Sequence, residues 1–178
     1  PRSSQAAANL RGPRRDAAAA RRLARRLAKL RRLFDLEAIA RQRGDNDQVV
    51  AYFHQNFHPY RRYHSQAGAM HMAINEDGRF DKDGFFGQAR RIESLWKDKP
   101  PADVLELAFG KGINLAYLAP RWPAVRFSGI DLTPRNVKHA KSQPALAGAT
   151  LMRGDLHAPP FASASFDCAY CIEGFCYA

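Results

Sequence analysis

Long apolar runs are missing from this 178-residue chain, and none reaches the length a helix needs to cross a bilayer. Paired metal-type cysteine motifs are missing as well. Cys168 and Cys171 have C-x-x-C spacing, but no second pair accompanies them, and in an extended run residues three apart face opposite ways. Zinc and redox chemistry are set aside, and the cysteines read as small buried hydrophobes. An odd cysteine count with no secretory signal leads us to expect a reducing compartment, cytoplasmic or organellar and not secreted. His54 and His58 are four apart, but no acid stands between them as in a zinc protease, so no metal is expected. No internal repeat is visible.

Acidic residues are scarce at one end only. Residues 1–43 carry thirteen Lys and Arg against three Asp and Glu, a net +10, whereas residues 44–178 carry fifteen against fourteen. The basicity therefore belongs to an arm, and the rest is close to neutral, which argues against a nucleic-acid-binding body. Residues 1–20 are rich in Ala, Arg and Ser and are expected to be disordered. From Asp16 to Arg41 the pattern turns helical, with Leu23, Leu27, Leu30 and Phe34 on one stripe and arginines elsewhere. Such a helix packs its stripe on its own domain, touches an anionic membrane peripherally, or belongs to an organelle-targeting segment.

What is present beyond the arm reads as two regions. Residues 44–101 are expected to form a helical lid, rich in aromatics and histidines over 46–75, with a second helix over 83–97 that Pro100-Pro101 ends. Residues 102–178 alternate strand and helix patterns. Strands are expected at Val104–Leu107, Val125–Ile130, Thr150–Arg153 and Phe166–Ile172, with Thr133-Pro134 opening the helix after the second. That alternation predicts an α/β fold with a parallel, Rossmann-like sheet.

The chemistry-bearing residues stand at the strand ends. Val104-Leu105-Glu106-Leu107-Ala108-Phe109-Gly110-Lys111-Gly112 runs from a strand through an acid into a glycine loop and then a helix, where free N–H groups and the helix dipole favour an anionic ligand group. Asp131, twenty-five residues past Glu106, ends the second strand, where a carboxylate can accept both hydroxyls of a ribose or cap the turn before Thr133. Asp155 follows Gly154 at the end of the third strand, placed for an adenine amino group or for a turn. The three acids and the loop together predict an adenosine-binding domain.

This ordered set resembles the class I S-adenosylmethionine-dependent methyltransferases. Val104–Gly112 is similar to the first motif of that family. Gly129-Ile130-Asp131-Leu132-Thr133-Pro134 is similar to the second. Gly154-Asp155-Leu156, with Pro160-Phe161 and Ser165-Phe166-Asp167, is similar to the third and fourth. The resemblance implies S-adenosylmethionine as cofactor, with Glu106, Ala108, Gly110 and Gly112 in the loop, Asp131 and Leu132 at the ribose, and Asp155 and Leu156 at the adenine. It also implies the N-terminal part of a seven-stranded sheet, continuing past Ala178, so the chain is expected to be a fragment of a longer protein. It departs from the family at Ala108, where a glycine is usual and the extra methyl is expected to crowd the cofactor or shift the loop. The segment from Tyr52 to Ile74 and the run Cys171-Ile172-Glu173-Gly174-Phe175-Cys176-Tyr177-Ala178 resemble the subgroup acting on sterol-, tocopherol- and quinone-like acceptors, which implies a small lipid-like substrate. Glu173 and His64 are the residues chosen as catalytic bases, with His54, His58 and His71 as further candidates.

Two rival readings are carried. A nicotinamide-dependent oxidoreductase also uses a glycine loop and a strand-two acid, but Ile113 stands where its third glycine belongs. A non-catalytic module would dock its basic helix on membrane or nucleic acid, with a degenerate cofactor fold behind it.

Overall fold

The computed structural model describes residues 17–35, 37 and 46–177. The chain divides into two compact units, Pro1–Arg43 and Gly44–Ala178. In the first, helix α1 spans Ala17–Leu33 and consists of Ala, Arg, Leu and one Lys, all strong helix formers with no interior breaker. Leu23, Leu27 and Leu30 are exposed along it. Residues 1–16, and most of the expected continuation to Arg41, lie outside the described residues.

The second unit takes in both the expected lid and the α/β part, which cluster as one body. Helix α2 covers Asn46–Gln55, and α3 covers Phe57–Pro59 and runs on as a π-helical turn, Tyr60–His64. An irregular strap follows. The helix expected over 83–97 is divided into a 3-10 turn at Lys82–Phe86 and helix α4 at Gly87–Leu95. Asp81 accounts for the split, because its carboxylate accepts the Asp83 N–H at 2.9 Å and starts the tighter turn.

The sheet strands are β1 Asp103–Leu107, β2 Arg126–Asp131, β3 Thr150–Arg153 and β4 Cys168–Cys171. Helix α5, Ile113–Leu118, joins β1 to β2, and α6, Pro134–Lys141, joins β2 to β3. All pairings are parallel, in the order β3-β2-β1-β4. β1 is central, with Leu105 opposite Ser128 on one side and Ala169 on the other. Val104, Leu115, Leu118, Phe127, Val137 and Leu151 form the main core, and Trp96 packs edge-on against Trp122 at 5.7 Å. Truncating a fully buried leucine such as Leu115 should cost about 2–5 kcal/mol.

Three local expectations are corrected. The fourth strand is shorter than the expected Phe166–Ile172, because Phe166 turns onto Phe161 and the Asp167 carboxylate takes the Ala102 and Asp103 N–H groups. Thr133 precedes α6 without a side-chain capping bond; its own N–H donates to Asp131 Oδ1 instead. The cysteines are free and not fully buried, with Cys168 and Cys171 half-buried and Cys176 exposed.

The strand order fixes where a ligand can sit. From β1 the chain moves to β2 on one side and later returns to β4 on the other. The loops leaving β1 therefore diverge from those leaving β4 and open a crevice at the C-terminal ends of the strands.

Candidate functional site

A cavity of about 480 Å3 fills that crevice. Its floor comes from the strand ends, and its roof from α2, the π-helical turn and the strap. Of the residues singled out in the sequence, Glu106, Ala108, Gly110, Asp131, Leu132, Asp155, Leu156 and Glu173 line it. Gly112 and His64 are not in the lining. A methyl group on Gly112 would come within 2.9 Å of Leu146 Cδ1 and 3.0 Å of Ala140 Cβ, so this glycine permits close packing beneath the loop.

The loop after β1 is held from below. Gly110 and Gly112 adopt φ of 59° and 79°, which glycine reaches without strain. Gly110 N–H donates to Asp131 Oδ2 at 2.8 Å, while Asp131 Oδ1 accepts from Thr133 N–H at 2.8 Å and Asn136 Nδ2 at 3.2 Å. Burial pushes the Asp131 carboxyl upward, and these three donors pull it back. Ala108 takes φ of 55°, a strained value for a residue with a side chain. Its methyl finds room because position 174 is glycine, where a Cβ would stand 2.6 Å from that of Ala108.

At the β3 end, Asp155 is already engaged. Asn46 Nδ2 donates to Oδ2 at 2.6 Å, and the His157 N–H and ring Nδ1 contact Oδ1 at 2.9 and 2.7 Å. Those bonds, led by the His157 backbone, hold its pKa down to about 2. Asn46 thereby ties the first residue of the roof to the floor, a link across 109 positions that no sequence period signals.

Glu106 lies at the opposite end, 1% exposed. Asn114 Nδ2 reaches its Oε1 at 3.3 Å and the Tyr170 hydroxyl its Oε2 at 3.2 Å. No cation pairs with it among the described residues, and burial raises its pKa to about 8. Asn114 Oδ1 is buried without a hydrogen-bond partner. A carboxyl without a cation and an unused amide oxygen in one cavity wall form a pocket for a positively charged donor.

The roof is fastened to the loop through Phe57. Lys111 Nζ donates to the Phe57 carbonyl at 2.6 Å and stands 4.2 Å from its ring centre, and the Arg135 guanidinium carbon is 4.3 Å from the same centre. Burial, followed by the charges of Arg61 and Arg135, lowers Lys111 to about 8. His58 Nε2 meets Arg135 at 2.7 Å, and His54 contributes its carbonyl to the same side chain at 3.2 Å. Neither imidazole belongs to a metal-type cluster among the described residues.

Glu173 also adopts a strained φ, 51°. Its carboxylate accepts the Met72 N–H at 3.1 and 3.2 Å and Gln88 Nε2 at 3.2 Å, so it clamps the strap. The sequence reading missed Asn46, Asn114 and Asn136, which no motif marks. It also missed the aromatic wall of Phe53, Phe175 and Tyr177.

Residues 104–178 match the family described as a methyltransferase domain. Two curated relatives, the phthiotriol/phenolphthiotriol dimycocerosates methyltransferases of Mycobacterium leprae and Mycobacterium tuberculosis, are each 33% identical over 75 residues, covering 42% of this chain. The chain spans 28% of the length of these relatives. Among solved structures, the [4+2]-cyclase SpnF superposes with a TM-score of 0.56 at 15% identity, over 70% of this chain and 47% of that one. An amino pentose methyltransferase from Micromonospora echinaspora, solved with S-adenosylmethionine, is 27% identical over 54% of this chain and 38% of its own, with a TM-score of 0.40. Residues 104–178 are thus similar to a methyltransferase domain, and the parallel sheet with its strand-end crevice has the α/β Rossmann-like fold of such domains.

Proposed function

We propose that the protein transfers a methyl group from S-adenosylmethionine to a small, lipid-like or amphipathic acceptor. The observation that carries this reading is the Glu106–Asn114 pair, a buried carboxyl and an orphaned amide oxygen that fit the ammonium group of the cofactor's methionine part. When bound, the cofactor supplies an electrophilic methyl on a sulfonium, so the protein's work is to position and desolvate. Asp131 and Asp155 would hold the ribose and adenine, and Gly110 lets the backbone lie close beneath. The aromatic wall of Phe53, Phe175 and Tyr177 favours an apolar acceptor.

Fold alone would not support the reaction, since SpnF carries this fold under the name of a cyclase. A nicotinamide dinucleotide is disfavoured by Ile113, which is 8% exposed and packed with Ala69 and Phe85. Calorimetry of the whole chain with S-adenosylmethionine and with NADH separates these readings. Heat with NADH alone would end the methyl-transfer reading. Labelled-methyl transfer to a panel of sterol-, quinone- and phenol-type compounds then tests the acceptor class.

The arm adds a peripheral membrane contact to this proposal. Helix α1 has seven basic residues and no acid, and Leu23, Leu27 and Leu30 stand exposed along it. Cosedimentation with phosphatidylserine vesicles should be strong, and it should vanish on deletion of residues 1–43. Equal binding to neutral vesicles would count against the electrostatic contact. The same arm is the segment we would assign to organelle targeting, and relocation of a reporter fused to residues 1–43 would test that.

A further inference from the structure

Two imidazoles hold the strap, and they hold it differently. His64 Nε2 lies 2.9 Å from the His71 carbonyl, and His71 Nε2 lies 2.7 Å from the Phe85 carbonyl. A carbonyl oxygen only accepts, so each Nε2 carries the hydrogen and, in the neutral ring, Nδ1 is left with its lone pair. The His64 ring is spent on packing, edge-on to Tyr60 at 5.7 Å and to Phe85 at 5.2 Å, away from the crevice. His71 is 6% exposed and stands in the crevice wall. Its Nδ1 makes no hydrogen bond among the described residues. Nor is Nδ1 one of the side-chain atoms sealed away without a partner.

The geometry points to His71 as the proton acceptor for an acceptor hydroxyl, with His64 as a positioning residue that fixes the His71 backbone. This inference rests on the methyl-transfer reading and narrows its substrate to an alcohol or phenol. Glu173, which also lines this end beside Tyr60, Cys176 and Tyr177, has its oxygens on Met72 N–H and Gln88 Nε2, so it holds the strap. The residues flanking His71 fix its place. Met70 packs where a Gly110 side chain would be, and Met72 N–H is bonded to Glu173.

The step balances without a further reactant. The acceptor oxygen bonds to the methyl carbon as the sulfonium S–C bond breaks, and that bond's electron pair stays on sulfur as a neutral thioether. The hydroxyl proton passes to His71 Nδ1, and the imidazolium returns it to water. An amine could shed its proton after attack. A neutral hydroxyl gains most from a base during attack, which is why a fixed imidazole lone pair selects this class.

Nitrogen-15 histidine NMR on the whole chain, with His71→Gln to assign the signal, tests the ring directly. We expect His71 as the Nε2–H tautomer with a bare Nδ1; an Nδ1–H ring overturns the inference. In His71→Gln an amide N–H can still reach the Phe85 carbonyl, but the base is gone. Cofactor affinity by calorimetry should then stay within about twofold, while labelled-methyl transfer to 1-naphthol falls roughly 10²–10⁴-fold. His64→Gln should lower the rate less and leave the His71 tautomer unchanged. An unchanged rate in His71→Gln, or a wild-type chain that methylates amine probes but no hydroxyl probe, overturns the inference. Absence of heat with S-adenosylmethionine overturns the underlying methyl-transfer reading, whatever the ring's tautomer.

Discussion

The two ends of the crevice are built on opposite principles. At the β2 and β3 ends, Asp131 and Asp155 each have three contacts to protein donors, which fix the carboxylates while leaving each an acceptor site for a ligand. At the β1 end, Glu106 is fully buried, accepts two long side-chain bonds and pairs with no cation among the described residues, where the neighbouring Asn114 Oδ1 also has no partner. The first end is preorganised, so its carboxylates fix the loop and roof whether or not anything is bound. The second end is incomplete in charge, so a cationic ligand gains most there. Shape selection should therefore reside in the first end and pH sensitivity in the second.

The comparison breaks most visibly at Asp131. In Asp131→Ala, the buried N–H groups of Gly110 and Thr133 lose their acceptor, at about 1–3 kcal/mol each, so stability should fall by roughly 2–6 kcal/mol. A urea midpoint measures that loss, and calorimetry should find cofactor binding abolished in the same variant. If stability fell but affinity held, Asp131 would be a structural staple only.

Glu106 tests the other end through protons. With its pKa raised from the ordinary carboxylate range to about 8, the empty folded protein keeps a proton that the unfolded chain has lost. Its stability should therefore decline as pH rises from roughly 4.5 towards 8. A cation beside Glu106 reverses the shift, so cofactor binding near pH 7 should release a proton, visible as a binding enthalpy that depends on the ionisation heat of the buffer. Glu106→Gln should flatten the stability slope, remove the proton release and weaken affinity by about 10–100-fold, the value of one charge-assisted bond.

The preorganised end was the more legible in sequence. Asp131 and Asp155 are found by counting strand and crossover lengths, because parallel strands with short helices place their C-terminal residues along one edge of the sheet. Glu106 was legible in position, but its lack of a cation was not, since burial depends on what covers it. The roof was least legible. The strap has no period, so nothing in the order of residues indicated that His71 faces the crevice while His64 packs away from it. Long-range partners were equally silent. Asn46 meets Asp155 across 109 positions of the chain, and the space for the Ala108 methyl is provided 66 residues later by Gly174.

That Ala108–Gly174 pair allows a finer test at the incomplete end. Gly174 is not among the residues with positive φ, so glycine is needed there for space. Gly174→Ala alone should cost about 1–3 kcal/mol through overpacking. Ala108→Gly alone should relieve strain of about 1–2 kcal/mol, partly offset by the added freedom of the unfolded chain. Combining them should recover most of the loss, a coupling that a double-mutant cycle on urea midpoints measures. Additive effects would show that Ala108 is accommodated by something other than Gly174.

The smallest effect is expected where the roof meets Asp155. Asn46→Ala removes one of three contacts to a carboxylate that is only partly buried, so stability should fall by about 0.5–1.5 kcal/mol. Asp155 keeps both His157 contacts and should stay below the usual carboxylate range, though less far below it than with Asn46 in place. If the preorganised end acts as a unit, this loosening of the roof should raise the cofactor dissociation rate while leaving the proton release at Glu106 intact. Stopped-flow release and calorimetry on the same variant can be compared directly. A change in proton release would mean that the two ends are coupled through the roof rather than built independently.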